Sequence, residues 1–202
     1  MTRSSSLRQQ LLTLLARQSF KLGDFQLSSG GRSDYYIDCR TTTLHAEGGR
    51  LTGLAILDLL REHHLNPHAV GGLTLGADPV VSSVAIASAQ RHAHAGKGHL
   101  IHGFLVRKTE KAHGTGRKIE GFCEENTPVL IVDDVCTTGG STITAIEAAQ
   151  TARMRVVAVV CLVERTEAKG RPAVEAAANG APFLSLFTGD DVRAEHVKHM
   201  PM

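Results

Sequence analysis

Val129-Leu130-Ile131-Val132-Asp133-Asp134-Val135-Cys136-Thr137-Thr138-Gly139-Gly140-Ser141 is the stretch on which the fold turns. Its apolar run, bounded by Pro128 and Asp133, makes a strand covered on both faces, as in a parallel sheet under helices. Two carboxylates close that strand. A hydroxyl- and glycine-rich turn then delivers the chain to a helix through Ile143, Ile146 and Ala149, with Ser141 as its expected cap. Ligands of open parallel sheets bind at this edge. Thr137, Thr138 and Ser141 offer hydroxyl donors, Gly139 and Gly140 allow close approach of backbone N–H groups, and the helix start adds partial positive charge, which together form a phosphate cradle. Asp133 and Asp134 cannot serve a phosphate; they suit ribose hydroxyls and hydrated Mg²⁺. Taken piece by piece, the same residues make a solvated strand end and an ordinary capped turn, and only their combination points to function.

Outward from this stretch the pattern repeats. Ala69 to Leu73 reads as a buried strand, Pro79 to Gln90 as a helix and Leu100 to Val106 as a strand. Val156 to Val163 is a second long apolar run, Pro172 sits where a helix would start, and Phe183 to Phe187 supplies a last strand. Toward the N-terminus, Leu7, Leu11, Leu12, Leu14 and Leu15 stripe a helix, Gly23-Asp24 marks a turn, Tyr35-Tyr36-Ile37 is a short strand, and Leu51, Leu54, Ala55 and Leu59 stripe another helix. The expected fold class is α/β, a doubly wound, mostly parallel sheet flanked by helices. One domain spans residues 1–202, with a small N-terminal hood over about residues 1–45.

The chain of 202 residues carries 22 Lys plus Arg against 20 Asp plus Glu, a net charge of +2, with 42% hydrophobic residues. So even a balance disfavours a wholesale nucleic-acid or membrane-surface binder, and any anion site must be built locally. No run approaches the ~20 apolar residues of a membrane span. Cys39, Cys123, Cys136 and Cys161 show no C-x-x-C pairing and read as reduced, buried thiols of a cytoplasmic protein. A P-loop, a G-x-G-x-x-G after a strand, H-E-x-x-H and G-x-S-x-G are all missing, which disfavours ATP hydrolysis, dinucleotide redox chemistry, zincins and α/β-hydrolases. His92, His94, His99 and His102 cluster around Gly96-Lys97-Gly98 without Cys or acidic ligands, so a solvated helix end is preferred to a metal site. His63-His64 suits a helix C-terminus.

One segment resists the scheme. Arg107 to Gly121 holds three glycines and five basic residues against two acids, with no hydrophobic stripe. Such a loop inside a compact domain is usually a lid or disordered.

The stretch 129–141 resembles the phosphoribosyl-pyrophosphate (PRPP) motif of type I phosphoribosyltransferases. Arg107-Lys108-x-x-Lys111-x-His113-Gly114 resembles the mobile catalytic loop of the orotate phosphoribosyltransferases, here residues 107–121. Phe25 to Gly30 with Ser33 to Asp38 is similar to that family's N-terminal substrate segment, and Glu164-Arg165 stands where the family places an orotate-binding arginine. The resemblance implies that Arg107, Lys108, Lys111 and His113 contact PRPP, chiefly its pyrophosphate, partly from the neighbouring subunit of a homodimer. It implies that Asp133, Asp134, Val135, Cys136, Thr137, Thr138, Gly139, Gly140 and Ser141 hold the ribose and 5-phosphate. Tyr36, Ile37, Thr137 and Arg165 would contact orotate. Lys111, Asp133, Arg107 and His113 would be the catalytic group, with Mg²⁺ brought by PRPP near Asp133 and Asp134 rather than bound by dedicated ligands. Some members carry Lys where Ser28 aligns, with Arg32 as a substitute, and Tyr-Lys where Leu75-Gly76 align.

The implied reaction joins orotate and PRPP into orotidine 5′-monophosphate and pyrophosphate, a step of pyrimidine (UMP) synthesis. Breaking the C1–O bond puts positive charge on the ribose and negative charge on pyrophosphate, so the residue types fit: cations for the leaving group, a lid to exclude water, and an arginine fork for a carboxylate. At this length there is no room for an additional barrel of ~250 residues. Two rivals remain: transfer to a purine or uracil, which the 129–141 motif alone does not exclude, and an RNA-binding regulator, which a +2 chain with 4% aromatics supports little.

Overall fold

Strand β6 (Pro128–Cys136) is the centre of the sheet because both of its faces are apolar. Leu130 and Val132 pack with Leu51 and Ile56 of α3 (Ala46–Glu62) and Val80 and Val84 of α4 (Asp78–Ala95). Val129 and Ile131 turn the other way, onto Ala145, Ile146 and Ala149 of α5 (Gly140–Thr151). This residue-by-residue alternation of partners is the signature of a sheet wound on both sides. The computed structural model describes residues 3–26, 32–95, 99–109 and 118–200.

The remaining elements are α1 (Arg3–Gln18), β1 (Phe20–Gln26), β2 (Arg32–Ile37), α2 (Arg40–Thr43), β3 (Ala69–Leu73), β4 (His102–Val106), β5 (Ile119–Gly121), β7 (Arg155–Glu164), α6 (Arg171–Ala177), β8 (Phe183–Thr188) and α7 (Gly189–Lys198). The main sheet has the order β5-β4-β3-β6-β7-β8, parallel except for the antiparallel edge strand β5, and β1 with β2 forms a separate antiparallel hairpin. From β3 the chain winds outward through α4 to β4, whereas from β6 it winds the opposite way through α5 to β7. The switch point therefore lies between the carboxyl ends of β3 and β6, where the connecting loops part and leave a crevice.

The expected α/β class, the buried strands and the flanking helices are as observed. Several local readings change. Gly23-Asp24 is no turn but a register shift within β1, between Leu22 and Phe25, and the strand was hidden because most of its residues are exposed. Residues 119–121 form β5, so the expected loop is shorter than 107–121. Helix α5 begins at Gly140 with Gly139 as N-cap, so Ser141 is not its cap. Helix α7 had no apolar stripe to announce it; its Thr188–Asp191 capping box was the available signal. That helix is locked to α1 by Glu195, whose carboxylate accepts hydrogen bonds from Thr13 (2.6 Å) and Gln9 (3.0 Å). Cys39, Cys136 and Cys161 are buried free thiols, but Cys123 is exposed. No helix among the described residues is long and apolar enough to cross a membrane.

Candidate active site

The crevice is a cavity of about 270 Å³. One wall is the end of β6 and the start of α5, with Asp133, Asp134, Val135 and Ser141. The opposite wall is the β3–α4 loop, Leu73 to Gly76, whose Thr74–Leu75 peptide is cis. Tyr36, Ile37, Asp38 and Arg40 come from the end of β2 and from α2, and Lys108 closes the rim from beyond β4.

The aspartates are held by short-range geometry. Asp133 is 6% exposed; its Oδ2 accepts from the Thr142 hydroxyl (2.6 Å) and its Oδ1 from the Asp134 N–H (3.0 Å). Asp134 accepts the Val135 N–H through Oδ1 (3.0 Å). A Cβ on Gly76 would stand 2.4 Å from that same oxygen, so a side chain there would require the Asp134 carboxylate to shift. Burial, and for Asp133 also the charge of its neighbour, pushes both carboxyls above the ordinary range. Ligand hydroxyl donors or a hydrated cation would relieve that pair. Among the described residues no three His, Cys, Asp or Glu side chains converge on one point, so an ion here would take its other ligands from substrate oxygens and water.

The anion-binding end lies at the start of α5. Gly139 supplies the αL conformation of the N-cap (φ 83°), no side chain caps the helix, and its first turn holds no acid. Its first N–H groups are thus left for a ligand, and a Cβ on Gly140 would meet nothing within 4 Å. By contrast, α7 satisfies its own N-terminus with Thr188 and Asp191. Cys136, inside this loop, is 1% exposed, and burial pushes its thiol up to about 11. It is inert as a thiolate at neutral pH.

The sequence-derived residues fall into three groups. Tyr36, Ile37, Lys108, Asp133, Asp134, Val135 and Ser141 line the one cavity, and Cys136, Thr137, Thr138, Gly139 and Gly140 continue its phosphate-loop wall. Arg107 follows β4 directly, where its N–H donates to the Lys118 carbonyl (2.9 Å) and its guanidinium faces Glu120 (3.4 Å). Lys111 and His113 lie outside the described residues, as does Ser28. Arg165 does not line the cavity. It is 4% exposed beneath the hood, donating through Nε to Tyr35 (3.2 Å) and Glu167 (2.9 Å), through Nη2 to Ser33 (2.7 Å), and stacking 4.3 Å from the Tyr35 ring centre. Tyr35 is accordingly a packing residue, buried against Phe20, whereas Tyr36 is exposed toward the cavity. Arg32, the suggested substitute for a cation at Ser28, pairs with Asp24 across the hairpin. Asp38 belongs to the N-terminal substrate segment, and Arg40 follows just beyond it in a stretch with no periodicity to single it out. The histidines disperse: His99 bonds the Pro67 carbonyl (2.7 Å), His94 bonds the Gln90 carbonyl (2.7 Å) and His102 stacks on Phe122.

A strand ending in two carboxylates, an open helix start for a phosphate and a second loop facing both across the switch point define a phosphoribosyltransferase site. Residues 109–177 match the phosphoribosyl transferase domain family. The chain is 40% identical to the orotate phosphoribosyltransferase of Streptomyces coelicolor over 93% of its length and 98% of the relative's, and 39% identical to that of Aquifex aeolicus over 89% and 94%. The orotate phosphoribosyltransferase of Mycobacterium tuberculosis, solved in complex with PRPP, superposes with a TM-score of 0.72 at 34% identity, covering 93% of this chain and 99% of that one. The chain belongs to the orotate phosphoribosyltransferase family.

Proposed function

We propose that the chain transfers the 5-phosphoribosyl group of PRPP to orotate, giving orotidine 5′-monophosphate and pyrophosphate in pyrimidine synthesis, as a cytoplasmic homodimer. N1 of orotate bonds to C1 of the ribose as the C1–O bond breaks; pyrophosphate leaves with the electron pair and the N1 proton is given up to solvent. The observation that carries this reading is the single cavity at the switch point in which the Asp133–Asp134 pair stands beside the uncapped start of α5.

The N–H groups and hydroxyls of Thr137 to Ser141 hold the 5-phosphate. Asp133 and Asp134 accept from the ribose hydroxyls, and Mg²⁺, arriving on PRPP, neutralises charge on the pyrophosphate when bound. Lys108 lies on the rim, and Arg107, Lys111 and His113 belong to the same loop, which supplies cations to the leaving group, partly from the partner subunit. Its closure excludes water that would intercept the ribose cation. The backbone at Tyr36 and Ile37 reads the orotate ring edge, Thr137 contributes its hydroxyl, and Arg165, at the end of β7 and held by Ser33, Tyr35 and Glu167, turns its remaining donors to the carboxylate.

Base choice tests the reading: orotate, uracil, adenine and hypoxanthine are each incubated with PRPP and Mg²⁺ and the nucleotide products separated. Orotidine 5′-monophosphate is the expected product; conversion of another base would keep the PRPP site and overturn the orotate assignment. Arg165→Lys keeps the charge but loses the planar fork, so the KM for orotate should rise about 10-fold or more while that for PRPP changes little. Equal rises would remove Arg165 from the orotate site. The same change strips hydrogen bonds from Tyr35 and Ser33, so a lower melting temperature should accompany it.

A further inference from the structure

Among the described residues the cavity is short of positive charge for the ligand it is read to take. Its walls carry three carboxylates, Asp38, Asp133 and Asp134, and two cations, Arg40 and Lys108. The β3–α4 loop, which faces the aspartates from the side away from the phosphate cradle, contributes none. Leu75 is apolar and 70% exposed, and position 76 admits no side chain while Asp134 stays in place. A pyrophosphate at that end of the cavity therefore meets no cation from its nearest loop.

Arg40 lines the same cavity, one residue beyond Cys39 and three beyond the end of β2. Its guanidinium is gripped on one edge by Asp38, Nε to Oδ1 at 2.8 Å and Nη2 to Oδ2 at 2.9 Å, and the Asp38 carboxylate is itself fixed by the Arg40 N–H (3.1 Å). The fork is thereby aimed with its side-chain freedom already spent, and of five N–H donors the Asp38 pair uses two. No hydrogen bond between described residues uses Nη1. Arg40 lines the same cavity as Asp134, and its positive charge draws that carboxyl toward the ionised form.

We propose that Arg40 is a PRPP-binding residue that contacts the pyrophosphate end of the substrate, and that Asp38 is its positioning residue. The inference rests on reading the cavity as the PRPP site. It differs from a local ion pair in its consequence: an exposed pair beside a short helix adds little to folding and nothing to ligand discrimination.

The test is PRPP binding in the presence of Mg²⁺ and absence of orotate, measured by titration calorimetry on the intact wild-type, R40A, R40K and D38N proteins, followed by steady-state KM values for both substrates. Arg40→Ala should weaken PRPP binding and raise its KM by about 10-fold or more, with the KM for orotate within about twofold of wild type, because one charge-assisted contact is lost. Arg40→Lys should recover part of the loss, and Asp38→Asn, which frees the guanidinium without removing it, should raise the PRPP KM by a smaller factor and leave kcat near wild type. If wild type and R40A bind PRPP equally, this inference falls and the site reading stands; if wild type binds no PRPP, both fall. A parallel rise of both KM values in R40A, with a lowered melting temperature, would reduce Arg40 to a structural role and overturn the proposal.

Discussion

Asp134→Asn is expected to cut turnover by about 100-fold or more and, at the same time, to make the substrate-free protein more stable at pH 8. The two effects have one origin. Two carboxyls lie side by side at the end of β6, both raised above their ordinary values, Asp134 by burial and Asp133 by burial together with the charge of its neighbour. A carboxyl whose folded pKa is raised holds extra proton in the folded state. Stability is therefore full below the unfolded value, near 3.8, and falls as pH rises through the folded value. Once pH rises past the Asp133 value of about 7, that carboxyl is ionised against both its burial and the charge of Asp134. An amide at 134 removes that charge while keeping an oxygen for the Val135 N–H. A relief of about 1–2 kcal/mol corresponds to a rise in melting temperature of roughly 2–8 °C for a chain of this size. The gain should shrink toward pH 4, well below the Asp133 value of about 7, where that carboxyl takes up its proton and the repulsion is relieved. The cost falls on catalysis, where the carboxylate faces developing positive charge on the ribose. Thermal melts at pH 4 and pH 8 beside kcat settle the matter; a variant destabilised at pH 8, or one turning over normally, contradicts it.

Lys111→Ala should lower kcat by about 100- to 1,000-fold with the melting temperature within about 2 °C of wild type. Lys108 lines the cavity, and the lid base is pinned by the hydrogen bond from the Arg107 N–H to the Lys118 carbonyl. Lys111 follows Lys108 by three positions in the sequence. The homodimer reading adds a sharper outcome. If the lid serves the neighbouring subunit, mixing Lys111→Ala with Asp134→Asn protein places both defects in one site of each hybrid and leaves the other intact. Random exchange then restores about a quarter of wild-type activity. No recovery after verified subunit exchange would confine each lid to its own subunit.

What the sequence disclosed of this fold follows from where its signals are local. Strand β6, its two aspartates and the turn into α5 are contiguous, and an apolar run followed by acids and glycines can mean little else in a parallel sheet. Strands β3, β7 and β8 were legible for the same reason. Strand β1 was not, because its residues are mostly exposed and it bends within the Leu22–Phe25 interval. The tie between Arg165 and Tyr35 joins residues 130 positions apart, and no periodicity reports such a contact. Arg40 was invisible for a subtler reason: its value lies in the cavity wall it shares with Asp134 and in the grip of Asp38, neither of which is a pattern along the chain.

The most direct test of the central claim is the ultraviolet absorbance of orotate after mixing the purified protein with orotate, PRPP and Mg²⁺, with released pyrophosphate measured in the same sample. Loss of orotate that requires PRPP and matches pyrophosphate one for one is the predicted result. Unchanged orotate absorbance with PRPP left intact would contradict the account.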